Sequence, residues 1–488
     1  MSNPFSGCTS LSSIVVDRYN PVFDSRDNCN AIVETSRNTL VTGCKNTIIP
    51  QSITNIGWYA FSGCTGLTSI TIPNSVTTIG TSAFSGCTGL TSITIPNSVT
   101  YIGGGIFTGC TGLTSINIPN SITYIHSSLF YGCTGLTTIV VDSGNPVYDS
   151  RDNCNAIINT STNSLIYGCK NTVIPNSITS IGEDAFFYCT GLTSINIPNS
   201  VTTIGTSAFS GCTGLTSITI PNNVTNIGQY AFASCTGLTT ITIPNNVTNI
   251  GQYAFASCTG LTTIAVHSGN SVYDSRDNCN AIVETSSNTL ITGCKNTIIP
   301  QSITTIGRGA FSGCTGLTSI NIPNSITFIG EHSFERCEGL TSVTIPNSVT
   351  HIGNDAFSRC TGLTSITLGN SLTTIDYSAF FCCKSLLNIY CYAEQIPTSD
   401  IYIFSGTPQT EATLHVPTVA LDAYKTTVPW SAFGNIVALT DDDPKPTGIN
   451  IVHGEGLRVN DYYDLQGRKV ANPEKGIYIV NGKKMVMK

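Results

Sequence analysis

Apolar and polar residues alternate in short bursts along most of this chain, and the bursts return at a fixed interval. Leu90-x-x-Ile93-x-Ile95 sets apolar side chains two apart, the spacing of a strand with one buried face. Pro96-Asn97 follows as turn chemistry, because proline lacks a donor and asparagine bonds its own backbone. Gly80 and Gly89 supply conformations that other residues resist. Between them, Ser82-Ala83-Phe84-Ser85-Gly86-Cys87 is too short for an independent helix and reads as one turn that drops Phe84 and Cys87 inward. The stretch from Ile72 to Thr94 restarts at Ile95-Pro96, a period of 23.

In this frame phenylalanine recurs at Phe5, Phe61, Phe84, Phe107, Phe130, Phe186, Phe209, Phe232, Phe255, Phe311, Phe334, Phe357 and Phe380, thirteen of the chain's 19. A cysteine follows three residues after each, from Cys8 to Cys383, and a leucine three further on, from Leu11 to Leu386. A second period of 125 joins Cys29 to Cys154 and Cys279, and Cys44 to Cys169 and Cys294: four units of 23 plus an insert of 33. Within an insert, the apolar runs around Tyr148 to Ile158 and Ser164 to Cys169 flank a polar turn, Asn159 to Asn163, which reads as a β-hairpin. Each insert ends in a strand such as Thr172-Val173-Ile174-Pro175, so it adds a coil whose convex side is the hairpin. A single coil cannot bury its own apolar face, so neighbours stack and like residues form columns. The expected architecture is a curved β-solenoid of the leucine-rich-repeat type, mainly β with short helical or 3-10 turns. Its sixteen coils, at ~4.8 Å per strand, give a sheet edge of roughly 75 Å.

That solenoid is assigned residues 1–391. The pattern then changes to Leu414-His415-Val416-Pro417, Tyr424, Trp430 and Phe433, a C-terminal cap over 392–440 of the kind an open stack needs. Asp441 to Gly448 is charged and proline-rich, and reads as a linker. Residues 449–488 form a small β module in which Asn481-Gly482 between alternating runs signals a hairpin. This tail carries a net charge of +3 on an acidic chain.

The LTSITIP strand followed by VTTIGTSAFSGC resembles the BspA-like leucine-rich repeats of surface proteins from Bacteroidetes-type bacteria, over residues 5 to about 391. The inserts, with VYDSRDNCNAI and the TLIxGCKNTxIP pattern, resemble the long units of the same family. The resemblance implies a cell-surface or secreted protein, and an adhesin for host extracellular-matrix proteins, host cell-surface proteins or other bacteria. The tail resembles C-terminal sorting domains that send Bacteroidetes proteins across the outer membrane. Phe5 to Leu11 is the second half of a repeat, so the chain reads as a processed or truncated form.

Only 10% of the residues are charged, against about 25% in globular proteins generally, so surface polarity must come from uncharged groups. A net charge of −7 argues against nucleic acid, whose phosphates need clustered Lys and Arg. No run of 18 apolar residues spans a bilayer. The six histidines never recur at metal-ligand spacing, and neither HExxH nor GxSxG occurs, so no metal, cofactor or active site is expected. Asp149-Ser150-Arg151-Asp152 and its two copies read as solvated turns with a local ion pair. One thiol per coil cannot place four sulfurs around a zinc, so the cysteine column is expected to be buried and inert. The insert cysteines differ, because hairpin symmetry sets Cys29 across from Cys44, Cys154 from Cys169 and Cys279 from Cys294. A cross-strand disulfide and a pair of free thiols are both open there.

The candidate binding face is the outward side of the sheet. Its positions are Ser69 and Thr71, Ser92 and Thr94, Ser115 and Asn117, Ser194 and Asn196, Ser217 and Thr219, Thr240 and Thr242, Ser319 and Asn321, Ser342 and Thr344, and Ser365 and Thr367. Such a row of hydroxyls and amides, with little charge, suits weak multivalent contact. The sequence is consistent with a non-enzymatic adhesin, a surface glycan-binding module or a structural spacer. It sets no oligomeric state.

Overall fold

A computed structural model describes residues 4–5, 7–126 and 128–446, and in the tail the backbone strands Tyr462–Tyr463, Lys469–Val470, Gly476–Val480 and Lys483–Met487. The chain divides into two compact units, Met1–Asp274 and Ser275–Lys488.

In the first unit each 23-residue coil is tied to the next along three rows. The expected strand row is present: Ser92–Thr94, Ser115–Ile118 and Thr138–Val141 run parallel, with Ile93, Ile116 and Ile139 in register. A second row of two-residue parallel strands, Asn55–Ile56, Thr78–Ile79 and Tyr101–Ile102, lies where only a single isoleucine marks the sequence. Glycine follows this row because the coils approach closely. A Cβ on Gly205 would stand 2.7 Å from the carbonyl carbon of Gly182. The third row passes through the phenylalanine segment, where Phe61 N–H donates to Ala83 O at 2.7 Å and Phe84 N–H to Ile106 O at 3.0 Å.

The amides of that segment alternate. Phe84 reaches the next coil, whereas Ser85 N–H closes a turn onto Ser82 O at 3.1 Å and Cys87 N–H another onto Phe84 O at 3.1 Å. A helix would send every amide back along its own coil. The segment is therefore a chain of tight turns, with Ser82 at φ 55° and Gly86 at φ 73°. Short 3-10 helices appear instead in the inserts, at Arg26–Asn28, Arg151–Asn153 and Arg276–Asn278, and in the cap.

Phe and Cys do turn inward. Phe186, Phe209, Phe232 and Phe255 are buried and stack nearly parallel, with ring centroids 5.0–5.4 Å apart. Removing one such ring costs about 3–5 kcal/mol. The first copy is the exception, since Phe5 is 37% exposed and Cys8 is exposed.

The inserts are hairpins as expected. Ala156–Asn159 pairs antiparallel with Ser164–Gly168, which then starts a new run of the second sheet by pairing parallel with Ser180–Ile181. The hairpin ends in glycine because Phe186 packs onto it: a Cβ on Gly168 would lie 2.1 Å from the ring. Tyr148 lets the insert interrupt the ladder without orphaning an amide, its hydroxyl accepting from Ile125 N–H at 3.2 Å.

The second unit repeats the plan. The hairpin Ala281–Glu284 and Thr289–Gly293 leads into parallel Thr305–Ile306, Phe328–Ile329, His351–Ile352, Thr374–Ile375 and Thr398–Ser399. That last strand belongs to a coil beyond residue 391. Phe404 stacks on Phe380 at 5.4 Å, and Thr407 stands in the cysteine column. The helix Leu421–Thr426 and the fully buried Tyr424 and Trp430 then close the stack. In the tail, Gly476–Val480 and Lys483–Met487 pair antiparallel, while the turn residues Asn481 and Gly482 lie outside the described residues, as do Thr447 and Gly448 of the expected linker.

Candidate functional site

What a threonine-rich repeat can bind depends on which hydroxyls the fold already uses. Two columns are spoken for. In the first sheet Thr114 Oγ1 donates to Thr91 O at 3.2 Å and Thr137 Oγ1 to Thr114 O at 3.0 Å. In the second, Thr202 Oγ1 donates to Thr179 O at 3.2 Å and Thr225 Oγ1 to Thr202 O at 3.3 Å. These hydroxyls spend their single donor on tying one coil to the next.

The outward strand positions are different. Ser69, Thr71, Ser92, Thr94, Ser115, Ser194, Asn196, Ser217, Thr219, Thr240, Thr242, Ser319, Asn321 and Ser342 are exposed, while Asn117, Thr344 and Ser365 are half-buried. Strand pairing keeps part of the row in columns, with Ser92 beside Ser115, Ser115 beside Thr138 and Thr240 beside Thr263, whereas Ser69, Ser194, Ser217, Ser319 and Asn321 lie outside the paired strands. Asn117 is partly committed, its Nδ2 donating to Asp142 Oδ1 at 2.8 Å. Thr367 departs from the expectation, being only 3% exposed. Its neighbour in the next strand is Tyr390, whose bulk replaces the Ser, Thr and Asn of other coils.

The face also holds apolar residues among the hydroxyls. Ser92, Thr94, Ser115, Asn117, Thr138 and Val140 line a shallow depression, and Val140 is 45% exposed. At the end of each insert Ile48, Val173 and Ile298 are about seven-tenths exposed. Their signal was available, since they stand where coils such as Ser92-Ile93-Thr94 carry threonine.

The buried column thiols are held away from nucleophilic chemistry. Cys87, Cys110, Cys212, Cys235, Cys360 and Cys383 are buried, and each Sγ sits 3.1–3.2 Å from the carbonyl oxygen of the preceding coil's phenylalanine. Burial pushes the Cys110 and Cys235 thiols up to about 12, so the nucleophilic thiolate is suppressed. Cys29, Cys44, Cys154, Cys169 and Cys294 form no disulfide. A register shift between Ile157 and Ile158 slides the strands by one residue, pairing Ala156 with Gly168. Cys154 Sγ is directed to Ala156 O at 3.8 Å and Cys169 Sγ to Asn155 O at 3.4 Å.

The Asp-Ser-Arg-Asp turns carry the expected ion pair. Arg151 Nη2 lies 2.7 Å from Asp149 Oδ2, and Nη1 donates to Asn163 Oδ1 at 2.9 Å, pinning the hairpin tip. In the equivalent pair Arg26 holds the Asp24 carboxyl below its usual range. Among the described residues no three His, Cys, Asp or Glu side chains are placed to hold a metal ion. No helix among them is long and apolar enough to cross a membrane.

Several solved leucine-rich repeat proteins are similar to this chain. A leucine-rich repeat protein from Eubacterium ventriosum is 25% identical, over 66% of this chain and 82% of that one, at a TM-score of 0.44. A leucine rich cell surface protein from Faecalibacterium prausnitzii is 23% identical over 89% and 97%, at 0.40. A leucine-rich repeat protein from Bacteroides ovatus is 24% identical over 88% and 100%, at 0.38. Among curated proteins none matches the sequence. The BspA type leucine rich repeat region matches residues 40–154, 158–281 and 290–411, more than half of the chain. With the 23-residue coils, stacked phenylalanines and hairpin inserts all in place, the chain belongs to the BspA type leucine-rich-repeat family.

Proposed function

We propose that this protein is a non-enzymatic cell-surface or secreted adhesin that holds a host or bacterial macromolecule on the outward face of its first sheet. The observation that carries the reading is the division of labour among hydroxyls. Neighbouring threonine columns spend their hydroxyl donors on coil-to-coil bonds, whereas Ser92, Thr94, Thr219, Thr240 and Thr242 are exposed on a paired backbone and make no side-chain hydrogen bond within the described residues. A rigid array of unpaired donors and acceptors loses little conformational entropy when a partner binds, so many weak contacts can add. Membership of a family of bacterial surface proteins supports the location, and the tail is given a sorting role on its resemblance alone.

A second reading, a glycan-binding module, is favoured by one feature: the exposed positions are hydroxyls and amides without a charged side chain among them. Immobilised full-length protein, screened against fibronectin, fibrinogen and a neutral glycan panel, separates the readings. Saturable binding to a matrix protein supports the adhesin, glycan-only binding supports the second reading, and silence on both leaves a structural spacer.

A further inference from the structure

Toward the C-terminus of the second unit the outward column changes chemistry. Thr344 and Thr367 are followed by Tyr390 and His415 in successive paired strands, with the two rings 4.3 Å apart. Beyond the last strand of this sheet, Asn435–Ala438, the chain doubles back onto them. Asp443 Oδ2 accepts from Thr440 N–H at 2.6 Å and from Thr440 Oγ1 at 3.1 Å. Lys445 Nζ donates to Thr440 O at 3.0 Å and stands 5.8 Å from the Tyr392 ring centre, and Pro446 is buried. The Asp443 side chain is only 12% exposed, with Oδ1 3.6 Å from His415 Nδ1. Residues 440–446 are thus a strap across Tyr390, Tyr392 and His415, where the composition reads as a linker.

The strap fits imperfectly. The Tyr392 hydroxyl and His415 Nδ1 are both buried without a hydrogen-bond partner, 3.6 Å being beyond hydrogen-bond reach. Buried polar atoms in native proteins are nearly always bonded, so two orphans in one place ask for a missing partner. Both can donate, the hydroxyl through its O–H and the imidazole through Nδ1–H in the appropriate tautomer.

We propose that Tyr390, Tyr392 and His415 form a binding site for an extended, proline-containing acidic peptide, which this chain fills with its own strap. A carboxylate only accepts, so acidic side chains are the partners that both orphaned donors call for. Asp443 does not, because Thr440 holds it. The aromatic rings supply an apolar bed, and the Lys445 contact shows that a cation beside the acid finds a ring face. The site is separate from the hydroxyl face, and its test leaves that reading untouched.

The probe is a fluorescein-labelled peptide with the sequence of residues 439–447 carrying Thr440→Pro, which removes both the N–H and the hydroxyl that hold Asp443 away from the two donors. It is titrated by anisotropy into full-length protein and into full-length D443G/K445S, whose strap has lost both anchors. A tethered strap acts at an effective concentration near millimolar, so the variant should bind at least about tenfold more tightly than the wild type. Adding Tyr392→Phe and His415→Leu should abolish that binding. Absence of binding by a D443G/K445S protein that keeps the wild-type melting transition overturns the proposal, as does equal binding by both. Independently, Tyr392→Phe in the otherwise unchanged chain should leave the melting midpoint unaltered or higher. A fall would show that the hydroxyl is already bonded, which also overturns it.

Discussion

Cys235 shows how much of this fold is settled by single atoms. Its Sγ lies 3.1 Å from Phe209 O, which also accepts from Cys212 N–H at 3.1 Å, so the thiol acts as a second donor to a buried carbonyl. Column position and burial are legible in the sequence because the spacing never varies. The hydrogen bond is not, since a small apolar residue and a weak donor give the same pattern. Thr407 reveals the requirement, its hydroxyl reaching Phe380 O at 2.9 Å from the same column. Thr and Val have nearly the same shape, so Cys235→Thr should be more stable than Cys235→Val by about 0.5–1.5 kcal/mol in denaturant unfolding. Equal stabilities would mean that the sulfur only fills space. The raised thiols also set an alkaline limit. Burial favours the neutral form, so their contribution is complete below the ordinary thiol range near 8.5 and is lost as pH climbs toward the folded values of about 11 for Cys64 and about 12 for Cys110 and Cys235. The melting temperature should hold between about pH 6 and 8 and fall above about pH 9, whereas a chain with the column cysteines replaced by alanine should lose that slope.

The elements show where apolar patterning stops being informative. The strand at Ser92–Thr94 and the hairpin at Ala156–Gly168 follow from alternation and a polar turn, and both are found. The second sheet escapes because Thr78–Ile79 and its partners are two residues long and bury one side chain each, too little for a period. The bulge after Ile157 escapes for another reason: one extra residue on a strand leaves the apolar pattern on either side intact. Gly168 belongs to the same junction, with the Phe186 ring in the space a Cβ would take. Gly168→Ala should lower the melting temperature, at a cost of about 1–3 kcal/mol for overpacking. Phe186→Leu in the same chain should recover part of that loss, and strictly additive effects would show that ring and glycine do not meet.

At the scale of the molecule, periodicity identifies the family and leaves the ligand open. The same regularity that stacks like residues into columns repeats polar positions whether or not they bind anything. Repeats alone do not separate Thr114, whose hydroxyl donates to Thr91 O, from the equally exposed Thr94, whose hydroxyl makes no bond among the described residues. Thr367 and Tyr390 show the converse, one aromatic substitution closing part of the row. The central claim is that binding is spread over that row. The most direct measurement is the affinity of the full-length protein for whichever ligand the screen identifies, with Thr94→Lys, Thr219→Lys and Thr242→Lys made singly and together, and Gln229→Lys as a control on an exposed turn. Distributed contact predicts roughly a two- to fivefold loss for each single change. It also predicts loss of binding in the triple variant, with none for the control. A triple variant that binds like the wild type would contradict the assignment of the face.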